Sequence, residues 1–348
     1  MPTPTPLSRP VVGDGSWCRT ARFSPLPDGL AAAFPGSANQ SAGRSACVRL
    51  QTILDLLTES LCHLSVEPYA RNDQAACRDI TAIAGPGDLV IRDLGYFVLD
   101  VLSQIDRAHV AFISRLRRNV GIYGPDGQRL DMLAVLRRTG GYDGPVLMGA
   151  KQKLPVRLVA LRVPPQVGAA RRRRMRNDRD RRLKPKAKAL ALQDWDIFVT
   201  NTKPEELTAG QIARFYRCRW RIETVFRTFK AALRDKVIEP TASAEQALIL
   251  LYAHLLRASL IVGPVWELLC RQARGRRGRL SLQRTSRFLQ DHFAAVLKVI
   301  LTGRDEYLAD LLRQHCTYDS RARPTYRQRF ARLRLETQLP QLPAASEP

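Results

Sequence analysis

The sequence predicts a mixed α/β fold. Apolar runs of strand length in the first third of the chain fall in the order β-β-β-α-β. A further strand pattern, followed directly by a long amphipathic pattern, returns after a stretch rich in Gly, Pro and Arg. With 348 residues and 45% apolar content, the chain is long enough to bury a real core.

Taken in order, Val48 to Val66 holds two apolar runs, VRLQTIL and LCHLSV, on either side of Asp55-Leu-Leu-Thr-Glu-Ser60. They predict two paired strands and a turn. Asp88-Leu-Val-Ile-Arg-Asp93, ended by Gly95, predicts a central strand. Phe97 to Arg107 has helical spacing, and Val110 to Leu116 alternates as a strand. Between residues 118 and 165, the runs VLMGAK and PVRLVALRV are separated by Gly, Asp and Pro, which predicts a small β-rich insertion. A basic tract from Arg171 to Ala189 leads to a strand over Trp195 to Thr200. Thr208 to Leu233 predicts one long amphipathic helix, and the remainder to about Leu312 predicts more helices.

The formal charge is +24, a field that attracts polyanions. A membrane is the weakest partner class, because the most apolar stretch, Gln246 to Leu269, is interrupted by His254, Arg257 and Pro264. The seven cysteines are scattered, with no C-x-x-C pair, which argues against a zinc module or disulfide framework and fits a reducing cytoplasm. Residues 1–10, rich in Pro and Thr, are expected to be a disordered leader rather than a signal peptide. No P-loop glycine pattern is present, and no nucleotide cofactor is expected.

The strongest chemical signal is Tyr216-x2-Arg219-x3-Glu223-x6-Lys230. At about 100° per residue these positions fall along one broad stripe of a helix. An acid flanked by a phenol, a guanidinium and an ammonium suits a metal-bound phosphodiester: the acid holds the cation and the donors grip phosphates. A solvated charge face, with Glu223 paired to Arg219 and Arg227, accounts for the spacing equally well.

This spacing, within YRCRWRIETVFRTFK, resembles the Y-R-E-K motif of one branch of bacterial insertion-sequence transposases, insertion sequence family four. The resemblance runs from about Val11 to about Leu260. It implies a ribonuclease H-like fold with a DDE triad. The family's D-R-G-Y motif is matched by Asp93-Leu94-Gly95-Tyr96, with Leu94 where Arg is usual. An acid at the C-terminal end of a central strand faces a crevice where ligands commonly bind; a turn or capping role before Gly95 is the alternative. The first acid is matched by Asp14 in Val11-Val12-Gly13-Asp14-Gly15-Ser16, ahead of Phe34-Pro35-Gly36-Ser37, with about six more residues than usual between them. Asp28, between Pro27 and Gly29, is the competing reading and has turn composition. Asp88 is read as a turn acid, and Asp73 as a residue at most behind the site.

Trp195 opens the strand before the motif helix. In relatives that cut through a hairpin, a Trp so placed stacks on a flipped base; a core Trp is the equal alternative. Trp220 adjoins Arg219 and is a second aromatic candidate for DNA. The basic tract holds eleven Lys or Arg against two Asp, including Arg171, Arg172, Arg173 and Arg174. It is expected to track a nucleic-acid backbone rather than form a merely solvated face.

The resemblance orders the chain as a leader (1–10), a first part of the ribonuclease H-like core (11–116), a β-rich insertion with the basic tract (117–194), a second part of the core with the catalytic helix (195–240), and a helical C-terminal region (241–348). It implies that Asp14, Asp93 and Glu223 are catalytic and bind two divalent cations, Mg²⁺ or Mn²⁺. Arg219, Lys230 and Tyr216 would contact DNA. The implied activity is cleavage of transposon ends and strand transfer into target DNA. The implied partners are double-stranded DNA and a second copy on it, in the bacterial cytoplasm near the nucleoid. An N-terminal end-recognition domain is expected to be lacking. A stand-alone nuclease of the same fold and a remnant that only binds DNA are the competing functions.

Overall fold

The computed structural model describes residues 9–14, 25–38, 44–56, 61–177, 185–223, 238, 243–260, 279–292, 294, 298, 302, 317–318 and 326–337. These fall into two compact units. The first comprises Met1–Gly13, Ala76–Arg219 and Phe330–Pro348; the second comprises Asp14–Ala75 and Trp220–Arg329. The architecture is α/β with a mixed sheet, as the order of elements predicts.

The first unit is built on strands β1 (Arg9–Asp14), β6 (Asp88–Arg92), β7 (Ala111–Arg115), β8 (Ile122–Tyr123), β9 (Tyr142–Met148), β10 (Leu154–Arg162) and β11 (Trp195–Thr200). Their order across the sheet is β1-β6-β7-β11-β10-β9-β8. β6 runs parallel to β1 and β7, whereas β11, β10, β9 and β8 alternate antiparallel. The predicted central strand is central indeed: every residue of β6 is buried, with Leu89, Val90 and Ile91 wholly so. Such a run has no alternation because a parallel strand is covered on both faces. Helix α1 (Leu99–Arg107) carries the chain from β6 to its parallel neighbour β7 and buries Val101, Leu102 and Ile105 on one stripe.

The strands that fall within the predicted β-rich insertion continue this sheet. β10 pairs with β11 along Arg157 to Arg162 and with β9 along Leu154 to Ala160. Leu158 and Val159 are both fully buried, which alternation across a one-sided hairpin would not give. The stretch also forms helices that strand-like runs did not announce: α2 (Met132–Thr139), α3 (Pro165–Arg176) and α4 (Ala187–Ala191). Asp131 caps α2 through the amides of Leu133 and Ala134, and Gly140 closes it at φ 71°. Arg157 anchors the outer half of the sheet, meeting Asp143 at 2.6 and 2.7 Å and the Leu207 carbonyl at 2.6 Å.

In the second unit, β2 (Pro25–Leu26), β3 (Pro35–Ala38) and β5 (Leu61–Pro68) all pair antiparallel with β4 (Arg44–Asp55). β4 and β5 are the two strands predicted between Val48 and Val66. The helix Ala244–Leu260 sets Ala247 and Leu251 against Leu26, Leu30, Phe34, Ala46 and Val48. Among the described residues, no helix is long and apolar enough to cross a membrane.

Candidate functional site

The end of β6 delivers Asp93 with an extended backbone, φ −80° and ψ 163°, just before a short 3₁₀ turn over Leu94–Tyr96. That is the position of a capping residue, yet its carboxylate makes no capping hydrogen bond. The turn role is taken instead by Asp88, whose carboxylate accepts from the Gly85 amide at 2.9 Å. Asp93 is therefore not spent on local structure.

What meets it comes from helix α5 (Ala209–Cys218). Thr208 and Gln211 form a reciprocal capping box that fixes where this helix starts. Its stripe of Ile212, Phe215 and Tyr216 is buried. Phe215 packs edge-on against Phe330 at 6.4 Å, and Tyr216 leans on Phe198 of β11 at 5.1 Å. Anchored so, the Tyr216 hydroxyl donates to Asp93 Oδ1 at 3.4 Å, a long hydrogen bond. Arg219 Nε stands 3.9 Å from the same oxygen, at ion-pair distance. Among the described residues no donor meets Asp93 Oδ2, and the side chain keeps 22% of its exposure. A carboxylate with one oxygen oriented by two donors and the other open is a suitable ligand for a hard cation.

The predicted single helix is interrupted between these donors and Glu223. Arg219 is a turn residue whose amide bonds back to the Tyr216 carbonyl at 3.2 Å, three residues earlier rather than four. Helical backbone resumes over 220–223, where Glu223 is half-buried. Arg219 itself keeps right-handed helical backbone, φ −48° and ψ −33°.

The remaining predicted residues divide as follows. Asp14 ends β1, one position beyond Gly13, which pairs with Arg92 of β6; its side chain lies outside the described residues, as does Lys230. Asp14 and Glu223 belong to the second unit and Asp93 to the first. Among the described residues, no group of three His, Cys, Asp or Glu side chains stands ready for a metal. Asp28 is exposed and opens a 3₁₀ turn after Pro27, as its composition suggests. Asp73 is buried and paired with Arg49 at 2.9 Å. Trp195 is 9% exposed with Arg162 at 6.0 Å from its ring, which favours its core reading, whereas Trp220 is 56% exposed. Arg219 is only 8% exposed and faces Asp93. In the basic helix α3, Arg171 pairs with Asp196 at 2.9 Å and Arg172 pairs with Asp194, while Arg173 and Arg174 are exposed. Sequence reasoning missed Arg115 and Asp196. Lone charges at strand ends carry no periodic signal, and only the sheet register brings them beside Tyr216.

Residues 14–256 match the family model described as transposase DDE domain, and the chain belongs to that family. It is 25% identical over 323 residues to the transposase for insertion sequence element IS231E of Bacillus thuringiensis subsp. finitimus, covering 87% of this chain and 67% of that one. It is 29% identical over 227 residues to the transposase for element IS231C of Bacillus thuringiensis subsp. berliner, covering 59% of this chain and 47% of that one. The transposase for element IS1151 of Clostridium perfringens is 23% identical over 252 residues, covering 66% and 53%. The chain thus spans about half to two thirds of the length of these curated relatives. Among solved structures, a piggyBac transposase synaptic complex with hairpin DNA is similar with a TM-score of 0.43 and 9% identity, over 99% of this chain and 60% of that chain.

Proposed function

We propose that this chain is the catalytic part of an insertion-sequence transposase of the Y-R-E-K branch, with a ribonuclease H-like core, cutting transposon ends and joining them to target DNA. Asp14, Asp93 and Glu223 are its acids. The observation that carries this reading is the meeting of Tyr216 and Arg219 with Asp93: half of the helix motif finds the strand-end acid across more than a hundred residues of sequence.

The three carboxylates are hard oxygen donors, and the open Oδ2 of Asp93 fits a Mg²⁺ or Mn²⁺ pair. Bound there, the cations would supply charge neutralisation and activation of the attacking oxygen. The chain's own part is orientation. Tyr216 and Arg219 hold Asp93 Oδ1, so the other oxygen faces the ligand in one fixed direction. Lys230 and the exposed Arg173 and Arg174 bind phosphates on either side of the scissile bond, and Trp220 offers an open indole face to an unpaired base. No nucleotide cofactor enters, because exchanging one phosphodiester for another needs no external energy. A homodimer on double-stranded DNA follows from the need to cut two ends.

The test is strand transfer of a pre-cut element end into plasmid DNA in Mg²⁺. Joined product is the expected result. Cleavage without joining makes the chain a stand-alone nuclease, and tight binding with neither makes it a DNA-binding remnant.

A further inference from the structure

We infer that Asp196 is a positioning residue for Asp93, acting through Arg115 and Tyr216, and that it ties the basic helix α3 to the same group. Its functional weight rests on the reading of Asp93 given above; its geometry does not.

Asp196 is the second residue of β11 and its carboxylate is a quarter exposed. It receives two guanidinium groups: Arg115 from the end of β7, and Arg171 from α3 at 2.9 Å. The β7–β11 register sets Arg115 opposite Phe198. Residues two apart on a strand share a face, so Asp196, Phe198 and Arg115 form one layer. Tyr216 lies on that layer, 5.1 Å from Phe198 and with the Arg115 guanidinium carbon 5.5 Å from its ring centroid. Among the described residues, the buried Arg115 Nε has no hydrogen-bond partner. The place of this guanidinium is thus set by Asp196 on one side and the phenol ring on the other. A cation against the ring draws electron density from it and strengthens the O–H as a donor to Asp93. Without the Asp196 charge, Arg115, which is 34% exposed, swings to solvent and the phenol loses this support.

Asp194 supplies the internal control. It holds the next arginine of the same helix, Arg172, and among the described residues its carboxylate forms no hydrogen bond or ion pair with Arg115 or Tyr216. Loss of either acid loosens α3; only loss of Asp196 reaches Asp93.

The experiment uses the full chain with 3-fluorotyrosine at Tyr216, read by ¹⁹F NMR without DNA. The resonance is expected to move in Asp196→Asn and in Arg115→Gln, and to stay in Asp194→Asn. In cleavage of end DNA with Mg²⁺, Asp196→Asn should slow the step at saturating DNA about five- to tenfold and Asp194→Asn should not, and the cycle of Asp196→Asn with Tyr216→Phe should be non-additive. Asp196→Glu, which keeps the charge, should recover most of the rate and guards against a folding defect. An unmoved resonance in folded Asp196→Asn, or equal movement in Asp194→Asn, overturns the inference. A wild-type chain that cuts no DNA counts against the proposed function instead, and leaves the fluorine result to judge this one.

Discussion

At the scale of single residues, Asp93 separates two roles that its position alone left open. An acid before a Gly-containing turn is usually a cap, but here the carboxylate ignores the turn and faces a phenol and a guanidinium. Tyr216→Phe should therefore slow DNA cleavage about two- to tenfold, the worth of one ordinary hydrogen bond, while the retained ring leaves the melting temperature unchanged. A single-turnover rate beside a thermal melt checks it; a matching fall in both would mean a packing role. The spacing of Tyr216, Arg219, Glu223 and Lys230 was visible in the sequence, but only the family resemblance set it apart from a solvated charge face. Arg115 and Asp196 were not legible, since nothing local to either residue says which strand lies next to it.

At the scale of elements, strands with one solvent-facing side or a run of β-branched residues were legible: β4, β5, β6, β7 and β11 all lie where the apolar patterns fall. The Gly and Pro that flank β9 and β10 point to a β-rich insertion, and nothing local in either strand announces that β10 pairs with β11. The end of β11 shows how such pairings are locked. The Asn201 side chain accepts from the Phe112 amide at 2.8 Å and donates to Asp106 at 2.8 Å and to the Val110 carbonyl at 2.9 Å, joining β11, β7 and the end of α1. Asn201→Ala leaves these groups unpaired and should cost about 1–3 kcal/mol in urea unfolding. The outer half of the sheet makes a parallel case. Asp143→Asn removes the charge that meets the buried Arg157 and should cost about 1.5–3 kcal/mol by the same measurement.

At the scale of the whole molecule, the charge of +24 suits a polyanion, and the proposed function makes that polyanion DNA. The fold sorts the basic tract: Arg171 and Arg172 are engaged with Asp196 and Asp194, while Arg173 and Arg174 are exposed. Replacing Arg173 and Arg174 together with Gln should flatten the salt dependence of DNA affinity by roughly 0.9 for each phosphate left without its cation. Replacing Arg172 should disturb helix docking more than the slope. Binding isotherms over a range of NaCl concentrations check both, and equal slopes for all variants would mean that this helix does not track the backbone.

The central claim is that Asp14, Asp93 and Glu223 act together on a phosphodiester. Its most direct test is Mg²⁺-dependent, single-turnover cleavage of the element's own ends by Asp14→Asn, Asp93→Asn and Glu223→Gln, with DNA affinity measured alongside. Each variant should bind DNA about as well as the parent and cut none of it. Full cleavage by any one of the three contradicts the account.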